Sequence, residues 1–142
     1  MLMFHIDYGT KPSELVSTPQ ELDAVLDRAT EESQQEECPY LVQIYPVTDN
    51  PSKTEPMLKL GVGRSFSFLD WDMDYVPGEL DGGEETTWEW SGPMEKGPGV
   101  GIPNEVAREA AREFVRTGGR RPTNVEWVAG EWQRPVRAED AR

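Results

Sequence analysis

The sequence predicts an α+β domain: a mainly antiparallel sheet of about five or six strands with two helices packed on one face. Three observations predict it. Two segments carry helical periodicity with start or stop signals. Between and around them lie short β-branched and aromatic runs, broken by Gly, Pro and acidic loops. The elements follow in the order β, α, three or four antiparallel strands, α, β. At 142 residues, 36% of them hydrophobic, the chain suits one core. We expect a single domain over residues 1–128 and a C-terminal tail over 129–142.

Residues 2–8 alternate and form the first expected strand, with Phe4 and Ile6 on one face. Residues 9–17 break it. Thr18 is a good N-cap, Pro19 suits the first helical position and Glu21 completes a capping box. Leu22, Val25, Leu26 and Ala29 then repeat at i, i+3, i+4 and i+7, which predicts about three helical turns before a solvated acidic end, TEESQQEE. The run YLVQIY at 40–45 reads as a strand ended by Pro46. Leu58, Leu60 and Val62 alternate with Lys59, Gly61 and Gly63, predicting a strand with one buried face. A tight connection at Gly63 and Arg64 leads to a second hairpin strand at 65–69, with Phe66 and Phe68 sharing a face.

An acidic stretch follows, then an expected strand at 86–90 that sets Thr86, Trp88 and Trp90 on one side. Four Gly and two Pro in residues 91–101 predict a loop. The second helix begins near Pro103. Val106, Ala107, Ala110, Ala111, Phe114 and Val115 form its expected buried stripe, with Arg108, Arg112 and Arg116 opposite, beside Glu109 and Glu113. Gly118 and Gly119 stop it, and residues 123–128 are expected to close the sheet as a strand with Val125 and Trp127 inward.

Charge narrows the function. With 27 acidic and 14 basic residues the formal charge is −13, a field that repels DNA and anionic membranes and steers a basic partner. The excess is local: from Arg64 to Val100 nine acidic residues face two basic ones. One Cys and one His leave no disulfide framework and no Cys/His zinc site within one chain. The first residues, MLMFHIDYGTK, lack the charged and apolar regions of a secretory signal, and no run of about 20 apolar residues could span a bilayer, so the cytoplasm is the expected location.

Asp70, Trp71, Asp72, Asp74, Tyr75, Glu79, Asp81, Glu84 and Glu85 are the candidate partner-binding residues: acids for a basic surface, aromatics as anchors. The plainer reading makes the acids solvated loop residues and the tryptophans, Trp88 and Trp90 above all, core. Asp70, Asp72 and Asp74 also match the first, third and fifth positions of an EF-hand loop, but Tyr75 stands where Gly is required and Asp81 where the bidentate Glu belongs. His5 reads as a strand surface residue without a nucleophile, and Cys38 as a half-buried thiol. No catalytic, cofactor or metal residue is expected.

The helix ELDAVLDRA, the pair MLKLGVGRSFSFLDWD, the strand TTWEW, the linker ending in GIP and REAAREFVRTGGRRPTNVEW, in that order, resemble the type-one immunity protein family of bacterial polymorphic toxin systems. The resemblance covers most of residues 4–128. It implies a cytoplasmic protein that is no enzyme and neutralises a cognate toxin domain, often of the deaminase superfamily. The expected partner is thus a basic, nucleic-acid-acting toxin domain blocked at its active-site cleft, with no nucleic acid or membrane bound by this chain. A small enzyme or calcium-dependent module using the acidic loop 70–81 is the alternative from another class, and an adaptor without a toxin partner is a third.

Overall fold

The computed structural model describes residues 2–48, 57–79, 86–90, 93–97 and 99–130. Its strands are β1 (Phe4–Tyr8), β2 (Glu14–Val16), β3 (Tyr40–Pro46), β4 (Leu58–Val62), β5 (Leu69–Trp71), β6 (Asp74–Tyr75), β7 (Thr86–Glu89) and β8 (Pro93–Lys96), and its helices are α1 (Pro19–Glu36) and α2 (Asn104–Arg116). The strands form one sheet in the order β2-β1-β3-β4-β5-β6, and β7 joins β3 in parallel at Tyr40 and Glu89 while pairing with β8. All other pairings are antiparallel. The α+β expectation holds, with more strands than the five or six expected.

Alternation gives the sheet two faces. Phe4, Ile6 and Tyr8 of β1, Tyr40, Val42 and Ile44 of β3, Leu58, Leu60 and Val62 of β4 and Leu69 of β5 join Leu22, Val25, Leu26 and Ala29 of α1 and Ala107, Ala110, Ala111, Phe114 and Val115 of α2 in one apolar core. On the other face Leu41 of β3 meets Phe66, Phe68, Trp88 and Val100 in a second, aromatic cluster. Trp88 lies over Gly61, where an added Cβ would run into its ring. The far side of β4, expected to be open, is therefore roofed by the β7–β8 hairpin.

Several expectations need correcting. The first helix is five turns long: Ser33 takes the next place on the stripe, i+4 from Ala29, and is buried, so a polar residue hides the continuing period. Its start follows the sequence. Thr18 Oγ1 accepts the Glu21 N–H at 3.1 Å, while the Glu21 carboxylate accepts from the Ser17 N–H at 2.8 Å. This bonding, led by the Ser17 N–H, lowers the Glu21 pKa.

The loop expected at 9–17 contains β2, and the loop expected at 91–101 contains β8. The strand expected at 65–69 begins only at Leu69. Ser67 instead exchanges backbone bonds with Ile102, and its hydroxyl donates to the Gly61 carbonyl at 2.8 Å. Helix α2 ends as expected: Gly118 has φ 77°, the Gly119 N–H donates to Phe114 O at 2.9 Å and the Gly118 N–H to Val115 O at 3.3 Å.

The closing strand at 123–128 does not form. The Thr123 N–H and hydroxyl donate to the buried Glu113 carboxylate, Asn124 Nδ2 donates to the Glu109 carbonyl and Trp127 Nε1 to Pro122 O. Of this segment only Val128 pairs with the sheet edge, at Tyr75. Val125 and Trp127 still turn toward the helix-side core. No helix among the described residues is long and apolar enough to cross a membrane.

Candidate partner-binding surface

The acidic stretch begins as a tight hairpin. Trp71 pairs with Asp74 and Asp70 with Tyr75, leaving Asp72 and Met73 as a two-residue turn. Their φ values of 46° and 83° are those of a type I′ turn, which fits the right-handed twist of the strands but favours Asn or Asp followed by Gly. Asp72 suits its position. Met73, 57% exposed, holds a left-handed conformation that a Cβ disfavours.

Hairpin geometry sorts the three aspartates. Asp70 points to the far face, where it is 4% exposed and ion-paired with Lys96 of β8, whose ammonium also lies 4.9 Å from the centre of the Phe68 ring. Asp74 belongs to the opposite face and pairs with Arg121 at 2.9 Å. Asp72 sits exposed in the turn. Three carboxylates distributed in this way do not converge on one ion. Among the described residues no group of three His, Cys, Asp or Glu side chains could hold a metal. The EF-hand match of these three positions is therefore a match of spacing without the geometry.

The aromatics are sorted too. Trp71 packs half-buried against the helix-side core, and the Arg121 guanidinium lies 5.8 Å from its ring and 6.0 Å from that of Trp127. Tyr75 and Trp90 pack half-buried on the aromatic cluster, and Trp88 is fully buried in it, with edge contacts to Phe66 and Phe68 and with Arg64 above its ring. The core reading is the one the structure gives for Trp88.

Of the nine candidate residues, Asp70 is thus withdrawn from the surface, because a buried carboxylate paired within the chain has nothing left to offer a partner. Asp72 and Glu79 are exposed and have no ion-pair partner among the described residues. Trp71, Asp74 and Tyr75 are half-exposed around them. Asp81, Glu84 and Glu85 lie outside the described residues. Sequence reasoning missed Lys96 and Arg121, the two bases that take Asp70 and Asp74. The sole signal for them was that each is a cation in an aromatic-rich neighbourhood, and nothing in the spacing ties it to its acid.

The remaining titratable groups lie away from this hairpin or pack beneath it. Burial, with the neighbouring Lys96 charge adding to it, lowers the pKa of Lys59, against the pull of Asp70. Burial raises the Cys38 thiol, and Glu89 and Glu36 push it the same way. His5 stacks on Tyr45 at 5.0 Å, and Tyr45 donates to Asp7 at 2.6 Å; neither contact supplies a nucleophile. Of the expected row, Arg108 and Arg112 are ion-paired, reaching across to Asp27 at 2.6 Å and Asp23 at 3.0 Å on α1, while Glu113, expected on the same polar side, is buried.

Comparison with known proteins places this scaffold. Residues 11–129 match the family model described as immunity protein Imm1, and the chain belongs to that family. No curated protein and no solved structure matches the chain.

Proposed function

We propose that this chain neutralises a cognate toxin domain that is basic, acts on nucleic acid and is of the deaminase type, by occupying its active-site cleft without chemistry of its own. Membership of an immunity protein family is the observation that carries the reading. Charge supports the finer part. A domain that handles nucleic acid needs a cationic groove, and a chain of net charge −13 approaches such a groove along a favourable field.

The contact residues we assign are Asp72 and Glu79, with Trp71, Asp74 and Tyr75 around them and Asp81, Glu84 and Glu85 continuing the same acidic stretch in sequence. Exposed carboxylates without an internal counter-ion steer and pair with a lysine or arginine without breaking a contact within the chain, whereas Asp70 would first have to leave Lys96 and Asp74 would have to exchange Arg121. Cytoplasmic residence fits a protein that must meet the toxin where nucleic acid is found.

The test uses a candidate toxin domain, sought first in the reading frames beside the gene for this chain. Mixed with this chain it should form a one-to-one complex by light scattering, lose its base-converting activity, and associate more slowly as salt is added in stopped flow. An association rate that stays flat from low to high ionic strength would contradict electrostatic occupation of the cleft. Retained base conversion in the complex would contradict the blocking mechanism.

A further inference from the structure

Helix α2 carries an apolar residue that the fold does not cover. The 3.6-residue period puts Val106 on the same stripe as Ala107, Ala110 and Phe114, yet its side chain is 36% exposed while theirs are buried. It opens onto a groove of about 510 Å³ between residues 76–79, residues 101–106 and residues 124–126. Val76, Ile102, Val106 and Val125 give the groove an aliphatic lining. Glu79 and Glu126 stand at it as the only charged groups among its lining residues. The walls are fixed. Gly78 donates its N–H to Gly99 O at 2.7 Å and lies so close to the Gly101 carbonyl that a Cβ would collide with it. On the other side Asn124 is tied to α2 through Glu109.

A slot with an apolar lining and two carboxylates selects its occupant by chemistry. An aliphatic side chain would gain from leaving water, and lysine or arginine beside it would meet Glu79 and Glu126, while an acidic or purely polar segment would be repelled or left without partners. Glu79 also belongs to the exposed acidic stretch, so the groove is continuous with the surface assigned above. Val128, 42% exposed and paired with Tyr75 next to Val76, extends the apolar strip along the same edge.

We propose that this groove seats a surface segment of the toxin domain in which an aliphatic residue is flanked by basic ones, and that it, more than the Asp72 turn, sets the lifetime of the complex. The inference rests on the immunity reading. Its test compares the parent chain with Val106→Asp and with the pair Glu79→Lys and Glu126→Lys, measuring melting and the binding of the candidate toxin domain used above.

The parent should bind. Val106→Asp should melt within a degree or two of it and dissociate about tenfold or more faster, the size of loss that truncating an interface anchor produces. The double charge reversal should mainly slow association. Should Val106→Asp unfold the chain, the charge reversal, which lies on the surface, decides alone. Parent-like binding in the folded variants would overturn the groove while leaving the immunity reading standing, whereas failure of the parent to bind overturns both. A parent that is dimeric and becomes monomeric in Val106→Asp would assign the groove to a second copy of the chain and overturn the proposal.

Discussion

The two faces of the sheet are built on different principles. The helix side is apolar and periodic: residues two apart on the strands meet residues three and four apart on α1 and α2, and the apolar positions of each element follow its own period. The far side is aromatic and ionic. There Trp88 lies on Gly61, Lys96 reaches Asp70, and Ser67 bonds Ile102, each joining segments 20 or more residues apart. The first face is made by the amphipathic period within each element. The second depends on a hairpin folding back over the sheet, and its energy rests on a few specific contacts.

Single substitutions should break the two faces differently. Phe114, fully buried and 5.5 Å from Phe4, should show the largest effect: Phe114→Ala should cost about 3 to 5 kcal/mol by chemical denaturation, and a loss below about 1 kcal/mol would mean the helix-side core is not where the stability lies. On the far face Asp70→Ala strands the Lys96 ammonium in a buried site and should cost about 3 kcal/mol. The paired change Asp70→Leu with Lys96→Met should recover most of that loss, because well-packed apolar groups replace buried ion pairs at little cost. If Asp70→Ala alone is neutral, the far face is not held by its ions.

Alkaline titration pulls stability in two senses, the tyrosines Tyr8, Tyr40 and Tyr45 in one and Lys59 in the other. Burial, with the Glu32 hydrogen bond and the Glu32 and Glu14 charges, raises the Tyr8 phenol from 10.0 to about 12 on the helix side. The native state then keeps a proton that the unfolded chain has released, so stability should fall as pH rises from 10 to about 12, by at most about 1.4 kcal/mol per pH unit from one phenol. Tyr40, also raised by burial, acts in the same sense. Lys59 on the far face has its pKa lowered from 10.5, so below that pH its unfolded form binds more proton and stability rises with pH. Denaturation against pH should show a shallower decline above pH 10 for Tyr8→Phe than for the parent.

The smallest effect lies at the tip of the β5–β6 hairpin. Met73→Gly should stabilise by about 0.5 to 1 kcal/mol, since glycine adopts the positive φ of the second turn position without strain. A loss of stability would show that the Met73 side chain makes compensating contacts.

This contrast also explains what could be read in advance. Strands β1, β3 and β4, the Thr18 cap, the Gly118 stop and the stripe on α2 were legible because each is written in its own segment. Strands β2 and β8 were not, because β2 is only three residues long and β8 lies in a stretch rich in Pro and Gly, and each becomes a strand only through its neighbours. The full length of α1 was hidden by Ser33 on its buried stripe. In the acidic stretch the composition was legible and its division was not: Asp70 and Asp72 look alike in sequence, and a strand alternation together with Lys96, 26 residues away, makes one structural and leaves the other exposed. Val106 belongs to the helical stripe by period, and its exposure reflects only how the flanking segments stop short of it.

That division is the central claim, and a side-by-side measurement on two variants tests it most directly. Asp70→Asn and the pair Asp72→Asn with Glu79→Gln would each be melted and then mixed in stopped flow with the candidate toxin domain. Asp70→Asn should melt several degrees lower and, where folded, associate at close to the parent rate. The Asp72 and Glu79 pair should melt with the parent and associate more slowly, with a weaker dependence on salt. Parent-like association and salt dependence in that second variant would contradict the claim that its acids meet the toxin.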